Sequence, residues 1–333
     1  MSDRTISQRA AALHRDALVW DMVYPLEPWC GNDYDKLDRY RAAGFDLVSL
    51  CLAGDNHNIS EGLQRVAAAR TRILGCPERY LLVSSTADVA RARHEGKLAI
   101  AFHLEGTRCF ERNLDIIEAY YALGVRHTLL AFNQANSVGG GCAETHDGGL
   151  SNFGVAVLRR MEQVGMLVDL SHTGHRTTLQ VMELATRACV FTHSMVHAVN
   201  PHFRNLQDDQ IRACARTGGL IGMSGSGEYI GDRSCSNESI LRHIDYIANL
   251  VGPRHVGLGL DLVFDAGALN AWIRARPDEW PQARDPGWPG FTYAAPEQAP
   301  ALTELLLQHG YSESDVRGIL GENWLRVCGE VWR

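Results

Sequence analysis

Two imidazoles and two carboxylates in this chain stand at the ends of four separate apolar runs. They are Glu105 in LAIAFHLE, His172 in LVDLSH, His193 in CVFTHS and Asp261 in HVGLGLD. One carboxylate with two imidazoles is a sensible ligand set for Zn²⁺ and leaves a coordination position open for water. A further carboxylate can take the proton of that water as it attacks a carbonyl. The residue types therefore indicate metal-assisted hydrolysis. We expect Glu105, His172 and His193 to be the ligands, with Asp261 as the base.

Each residue taken alone also has a purely structural interpretation. A histidine at the end of a strand is more often a hydrogen-bonded structural residue than a ligand, and Glu105 could cap the helix that follows it. Four such residues at four strand ends are less easily accidental, so their joint placement favours a metal site. His103 shares the inward side of Glu105 by strand alternation but lies deeper, and we assign it to the core.

The elements that must position these residues are repeated strand and helix units. Short runs rich in Val, Ile, Leu and Phe are each followed by a turn and then a stretch of helical period, which is typical of a parallel sheet. Eight such runs occur, at 17–23, 46–52, 98–105, 127–133, 167–172, 189–194, 219–224 and 255–261. They predict a (β/α)₈ barrel, in which active-site residues lie at the carboxyl ends of the strands.

Helical patterns between the runs support one barrel spanning residues 1–333. The helices are expected around 113–123, 155–163, 177–186, 208–216 and 239–250, with Gly124 and Gly165 as stop signals for the first two. A helical extension covers about 298–333, as a helix over 300–309 and another over 312–332, with Ser312 and Ser314 available as caps. Residues 264–297 lack a period and are expected to form a long loop over the mouth of the barrel.

Composition excludes several other classes of protein. The chain has 333 residues, is 45% hydrophobic and 21% charged, and carries a net charge of -7 without a basic cluster. It is therefore a folded globular protein, and nucleic acid is not an expected partner. We find no signal peptide or membrane span and expect a cytoplasmic protein. The nine cysteines are spread singly with no CxxC pair, which favours small buried hydrophobic residues over disulfides.

Longer stretches resemble the renal (membrane) dipeptidase family of the amidohydrolase superfamily. These are AFHLEG, GGLSNFGVAVLRRMEQVGMLVDLSHTG, THSMVHAVNPHFRNLQDDQIRA, HVGLGLD and ILGENWLRV. The resemblance implies that Glu105 is a metal-bridging carboxylate and that His172 and His193 bind the second metal. Asp261 matches an aspartate beside the metals, and Arg204 matches an arginine that grips a substrate carboxylate. The guanidinium fork of Arg204 suits that task by its own chemistry, although a surface or interface ion pair is an equal alternative.

Two positions depart from the family pattern. Members carry an HxD pair after the first strand that supplies the first metal, and the alignment places Val23 and Pro25 at those two positions, with Met22 replacing a glycine. The family also has a histidine after the fourth strand that contacts the substrate, where this chain has Phe132. Loss of that histidine removes a donor that could stabilise the tetrahedral oxygen.

Three hypotheses follow from these departures. The first is a zinc hydrolase with one ion per chain on Glu105, His172 and His193, similar to some N-acetylglucosamine-6-phosphate deacetylases. The second is a binuclear enzyme that recruits Asp21 or Glu27, which we consider weaker because ligand geometry is demanding. The third is a catalytically silent barrel that binds a small ligand.

The first hypothesis predicts hydrolysis of an amide or peptide bond in a small substrate that carries a carboxylate. A dipeptide, an N-acyl amino acid or a lactam would fit. Phe132 and Tyr229 are candidate substrate-binding residues at the mouth, although aromatic residues in barrel loops are as often packing residues. The resemblance and the frequency of symmetric dimers lead us to expect a homodimer.

Overall fold

Parallel strands form a nearly closed barrel in the computed structural model, which describes residues 6–26 and 31–333. The strands are β1 Trp20–Pro25, β2 Leu47–Gly54, β3 Tyr80–Leu82, β4 Leu98–Glu105, β5 Val125–Leu129, β6 Leu167–Asp169, β7 Cys189–Ser194, β8 Ile221–Met223 and β9 Val256–Leu258. The order around the barrel is β1-β2-β4-β5-β6-β7-β8-β9, with every pairing parallel. This confirms the predicted (β/α)₈ fold.

The strands form from continuous apolar runs because a barrel strand is covered on both faces. Every residue of β1, β2, β5 and β7 is buried, as expected for parallel strands beneath helices. Each of the eight predicted runs overlaps a strand. The short strand β3 was not predicted, and it pairs with Leu98–Ile100 of β4, while β5 pairs with β4 from Phe102 onward.

Helices pack around the barrel and alternate with the strands. They are α1 Gln8–Asp16, α2 Leu37–Ala42, α3 Ile59–Leu74, α4 Ala87–His94, α5 Asp115–Ala122, α6 Asn152–Val164, α7 His175–Leu184, α8 Asp208–Arg216, α9 Gly227–Ile230, α10 Asn237–Val251, α11 Ala266–Arg274, α12 Ala299–Gln308, α13 Glu313–Arg317 and α14 Asn323–Val331. Helix α6 ends at Gly165, which adopts the left-handed conformation with φ 85° as predicted. No helix among the described residues combines the length and apolar character that a bilayer crossing requires.

Two segments differ from their predicted form. Residues 264–297 contain helix α11, capped by Asp265, whose side chain accepts a hydrogen bond from Ala268 N. The segment 312–332 is two α-helices separated by a π-helical turn over Gly318–Glu322, and Ser312 is its cap. The apolar residues of helix α11 cover only a short stretch of a segment rich in Pro and Trp, so the sequence pattern did not predict this helix. Nothing in the sequence pattern marks the π turn.

The C-terminal helix closes the end of the barrel opposite the carboxyl ends of the strands. Trp324 of α14 is fully buried and its indole Nε1 donates to the carbonyl of Leu258 over 3.0 Å. Its ring packs against Gly257 so closely that a Cβ there would lie 2.5 Å from Nε1. A glycine is therefore required at this point of β9, and the opposite end is left open.

His243 of α10 holds the loop after β7, and its burial predicts an acid-sensitive fold. Val196 N donates to its Nδ1 (3.0 Å) and its Nε2 donates to Ile230 O (3.1 Å). Burial lowers the pKa of His243 from 6.5 to about 4. In the unfolded chain, His243 therefore becomes protonated below about pH 6.5, whereas in the folded chain it stays neutral until the pH falls to about 4. We expect this residue's contribution to stability to be complete above pH 6.5 and to fall by about 3 kcal/mol as the pH drops to 4.

Urea unfolding of the wild type and of His243→Gln at several pH values between 7.5 and 4 checks this expectation. The free energy of unfolding should decline less steeply in the variant, because glutamine does not titrate. Equal slopes in both proteins would show that His243 is not responsible.

Candidate active site at the carboxyl ends of the strands

The four residues selected from the sequence converge at one mouth of the barrel. Glu105 ends β4 and His193 lies in β7, whereas His172 and Asp261 each stand three residues beyond their strands, β6 and β9. His193 Nε2 lies 2.9 Å from His172 Nε2 and 3.9 Å from Glu105 Oε1. Ligand atoms of Glu105, His193 and Asp261 all lie within 4.8 Å of one another.

His172 and Asp261 reach the mouth through an unusual backbone conformation. Their φ angles are +60° and +54°, in the left-handed region that side chains other than glycine rarely adopt. In both cases the strand finishes before the end of the apolar run. The sequence suggested that these residues close their strands, and the structure corrects this: each lies in the segment that follows its strand.

Hydrogen bonds at Nδ1 determine the tautomer of His172. Its Nδ1 lies 2.7 Å from Asn133 Oδ1. The Asn133 amide nitrogen donates to the carbonyl of Glu279, so its oxygen faces the histidine. Nδ1 therefore carries the proton, and Nε2 presents a lone pair to the mouth.

His193 is held in the same tautomer by a different pair of residues. Its Nδ1 lies 2.9 Å from Thr192 Oγ1, and that hydroxyl donates to the Asp169 carboxylate. Asp169 is ionised, because the effects of His127, His193 and Thr192 outweigh its burial and lower its pKa to about 2. The Thr192 oxygen must then accept from Nδ1, and Nε2 of His193 also presents a lone pair.

Two imidazole lone pairs thus face each other over 2.9 Å beside a carboxylate. Burial first, and then the charge of Arg204, hold the pKa values of His172 and His193 well below the usual range, so both rings are neutral. Two acceptors at this distance repel each other unless a cation lies between them. In a tetrahedral zinc site with bonds of about 2.1 Å, ligand atoms stand about 3.4 Å apart. The donor types of Glu105, His172 and His193 suit a divalent cation, and the group whose ligand atoms all lie within 4.8 Å of one another contains Asp261 in place of His172.

The surroundings of Asp261 shift its ionisation. Burial raises its pKa to about 7, with Arg204 lowering the value and Asp21 raising it. Asp21 is fully buried, and its Oδ1 accepts from Val23 N (3.0 Å) and from Leu260 N (2.9 Å). Asp21 therefore joins β1 to the segment after β9 and positions the residue next to Asp261.

A cavity of about 680 Å³ opens above these residues. Its walls include Glu105, His172 and Asp261, and the segment 264–297 covers it with large apolar side chains, as the sequence predicted. These are Leu269, Trp272, Trp280, Phe291 and Tyr293. Such an enclosed, largely apolar pocket with few polar groups is typical of a site for a small molecule.

Comparison with known proteins agrees with this architecture. A sequence profile of the membrane dipeptidase family (peptidase family M19) matches residues 14–271. An uncharacterized protein in the pqqA 5' region of Klebsiella pneumoniae is 31% identical over 281 residues, 81% of this chain and 96% of that protein. The dipeptidase aclJ of Aspergillus oryzae is 30% identical over 280 residues, 82% of this chain and 61% of the relative. The chain belongs to the membrane dipeptidase family.

Comparison with solved structures finds the same barrel fold in another protein. An amidohydrolase from Pseudomonas aeruginosa superposes with a TM-score of 0.87 at 26% identity, over 97% of this chain and 99% of the other. This membrane dipeptidase family member is therefore a metallohydrolase built on the barrel of its relatives.

The positions of the family's first metal pair hold no ligand in this dipeptidase family member. Val23 is fully buried in an apolar cluster, and Pro25 lines the cavity next to Cys51 of β2. The carboxylate of Asp21, the residue considered as a replacement, accepts hydrogen bonds from backbone N–H groups on β1 and after β9. Glu27, the other residue considered, lies outside the described residues.

Phe132 and Tyr229 both line the cavity of this family member. The Phe132 ring stacks on His172 with ring centroids 4.1 Å apart and meets Trp280 edge to face at 5.8 Å. Phe132 therefore shields one face of a proposed ligand from water. Tyr229 lies with its ring 5.6 Å from the Arg204 guanidinium.

Arg204 is buried, with both terminal nitrogens engaged inside the chain. They donate to Ser194 Oγ (2.8 Å) and to His193 O (2.7 Å), while Nε has no hydrogen-bond partner among the described residues. No carboxylate within residues 6–26 and 31–333 forms a salt bridge with it. A buried guanidinium without an anionic partner is costly, so this is a place where an anion would be stabilised.

Sequence reasoning missed the residues that orient the histidines. Asp169 and Thr192 interrupt the apolar runs LVDLSH and CVFTHS, and this was the available signal. Asn133 gave none, because its contact with His172 joins two loops. Cys51 and His103, assigned to the core from sequence, are indeed buried and lie beside Glu105.

Proposed function

We propose that this protein hydrolyses an amide or peptide bond in a small molecule that carries a carboxylate, using zinc. The observation that carries the proposal is the pair of imidazole lone pairs that converge beside the Glu105 carboxylate. A dipeptide, an N-acyl amino acid and a lactam are the candidate substrates. The dipeptidase named among the relatives supports the inclusion of peptide bonds.

Glu105, His172 and His193 would hold the ion. When bound, a divalent cation polarises the scissile carbonyl and makes a water molecule more acidic. Asn133, Thr192 and Asp169 keep both imidazoles in the tautomer that binds a metal.

Asp261 is the group that would take the proton from the attacking water. Its carboxylate stands at the mouth beside Glu105 and His193. Its pKa of about 7 suits a group that must gain and lose a proton near neutral pH. The proton can then pass to the leaving nitrogen, which needs it to depart as an amine.

Arg204 would bind the substrate carboxylate. Its guanidinium donates to the carbonyl of His193, which places it beside the reacting groups. Phe132, Trp280 and Phe291 enclose the remainder of the substrate and keep bulk water away. This apolar lining favours a substrate with an apolar group next to the bond that is cleaved.

Metal content tests the proposed ligand set. His172→Asn is the informative variant because asparagine tolerates the left-handed backbone that alanine would strain. We expect the zinc content of the variant, measured by plasma mass spectrometry, to fall by about one equivalent per chain, since one imidazole of the set is lost. His175→Asn is the matched control, because His175 is partly exposed and pairs with Asp209 instead.

Unchanged zinc in His172→Asn would refute the ligand assignment. Wild-type protein that binds no metal, even after zinc is added, would favour the catalytically silent barrel. The absence of ligands at Val23 and Pro25 is the specific observation behind that second candidate.

A further inference from the structure

Glu105 also belongs to a second group of potential ligands. Ligand atoms of Cys51, His103 and Glu105 all lie within 4.8 Å of one another. His103 Nε2 is 3.9 Å from Glu105 Oε1, the same distance that separates this oxygen from His193 Nε2. One carboxylate oxygen is therefore equally distant from two imidazole nitrogens.

Strand register brings this group next to the missing metal pair. Pro25 of β1 pairs with Cys51 of β2, and Cys51 pairs with His103 of β4. Pro25 occupies the position where the family has its aspartate ligand. The thiol is thus one strand away from the lost ligand, at the same level of the barrel.

Contacts through Ser49 and His127 indicate which nitrogen of His103 carries the proton. His127 Nδ1 lies 3.4 Å from the ionised Asp169, and its Nε2 lies 3.0 Å from Ser49 Oγ. Ser49 Oγ lies 3.0 Å from His103 Nδ1. With the His127 proton facing the carboxylate, Ser49 donates to His127 Nε2 and accepts from His103 Nδ1. His103 Nε2 is left as a lone pair that faces Glu105.

That lone pair has no hydrogen-bond partner among the residues the structure describes, although His103 is completely buried. A buried acceptor without a partner costs about 1–3 kcal/mol. The contacts of His103 with Ser49 and His127 account for its Nδ1 side but leave Nε2 unpaired. A cation bound at Nε2 would remove that cost.

We propose that Cys51, His103 and Glu105 hold a second divalent cation, with Glu105 shared between the two sites. A thiolate, an imidazole and a carboxylate select zinc or cobalt over magnesium or calcium. This site goes beyond the proposed function and would replace the family's first metal pair with ligands from β2 and β4. The centre is then binuclear without an HxD motif.

Cobalt substitution distinguishes this site from the first. Protein is prepared without metal and loaded anaerobically with Co²⁺, because a cobalt–thiolate bond gives an ultraviolet charge-transfer band that histidine and carboxylate ligands do not. We expect about two equivalents of cobalt and this band in the wild type. Cys51→Ser should remove the band and about one equivalent. His103→Gln should also lower the cobalt content by about one equivalent. Cys142→Ser is the control, because Cys142 lies near Asn133 but outside the group.

The outcomes separate this inference from the proposed function. The second site would be overturned if the wild type bound cobalt without a thiolate band and the cobalt content were unchanged in Cys51→Ser and His103→Gln. The His172 site would remain intact in that case. A band that persists when His172→Asn loses no cobalt would support the second site and refute the first. Protein that binds no cobalt or zinc would overturn both. Thermal unfolding of each variant shows whether it is folded before its metal content is interpreted.

Discussion

Replacing Asp261 by asparagine is expected to lower kcat by about 10²- to 10⁴-fold and to leave the metal content unchanged. Asparagine keeps the size of the side chain and tolerates the left-handed backbone at this position, so the fold should survive. It cannot take a proton from water, and that is the task proposed for Asp261. The measurement is steady-state hydrolysis on the best of a panel of dipeptides, N-acyl amino acids and lactams, together with zinc analysis of both proteins.

Asp265→Asn is the matched control for this change. Asp265 caps helix α11 close to the same cavity, and asparagine is an equally good cap, so activity and stability should be retained. Loss of zinc from Asp261→Asn would contradict the assignment. Asp261 would then be a ligand in the group it forms with Glu105 and His193.

The barrel could be predicted from sequence because buried parallel strands appear as continuous apolar runs. The strand Tyr80–Leu82 was not predicted because it is three residues long and pairs with only the first part of β4. The end points of strands were less accessible. His172 and Asp261 lie beyond their strands at positive φ. The presence of a histidine or an aspartate is not enough to predict that conformation from sequence.

The site could be predicted in part for the same reason. Polar residues at the ends of apolar runs converge in any barrel, which is enough to bring Glu105, His172 and His193 together. Strand register is not encoded in the period, so the pairing of Cys51 with His103 was hidden. Such lateral contacts depend on the number of residues by which neighbouring strands are staggered.

Electrostatic context was the least predictable feature. A sequence cannot show whether an arginine finds an anionic partner, and Arg204 had two equal interpretations. In the structure it is buried, bonded to Ser194 and to the His193 carbonyl, without a salt bridge to any described carboxylate. This observation favours recognition of a ligand over an ion pair within the chain.

Arg204→Met is expected to lower kcat/KM for substrates with a free carboxylate by about 30- to 1000-fold, which corresponds to about 2–4 kcal/mol. Methionine fills much of the space but removes the charge. The same substrates with the carboxylate converted to an amide lack the group that Arg204 would bind. Their kcat/KM should be low in the wild type and change little in the variant. The comparison therefore measures recognition of the carboxylate apart from general damage to the site.

Ser194→Ala controls for the structural task of Arg204. It removes one hydrogen bond of the guanidinium and keeps the charge, so the discrimination between acid and amide substrates should persist. If Arg204→Met lowered kcat/KM equally for the acid and amide substrates and also lowered the zinc content, the arginine would act by holding the His193 carbonyl. The preference for the carboxylate would then have to come from another group in the cavity.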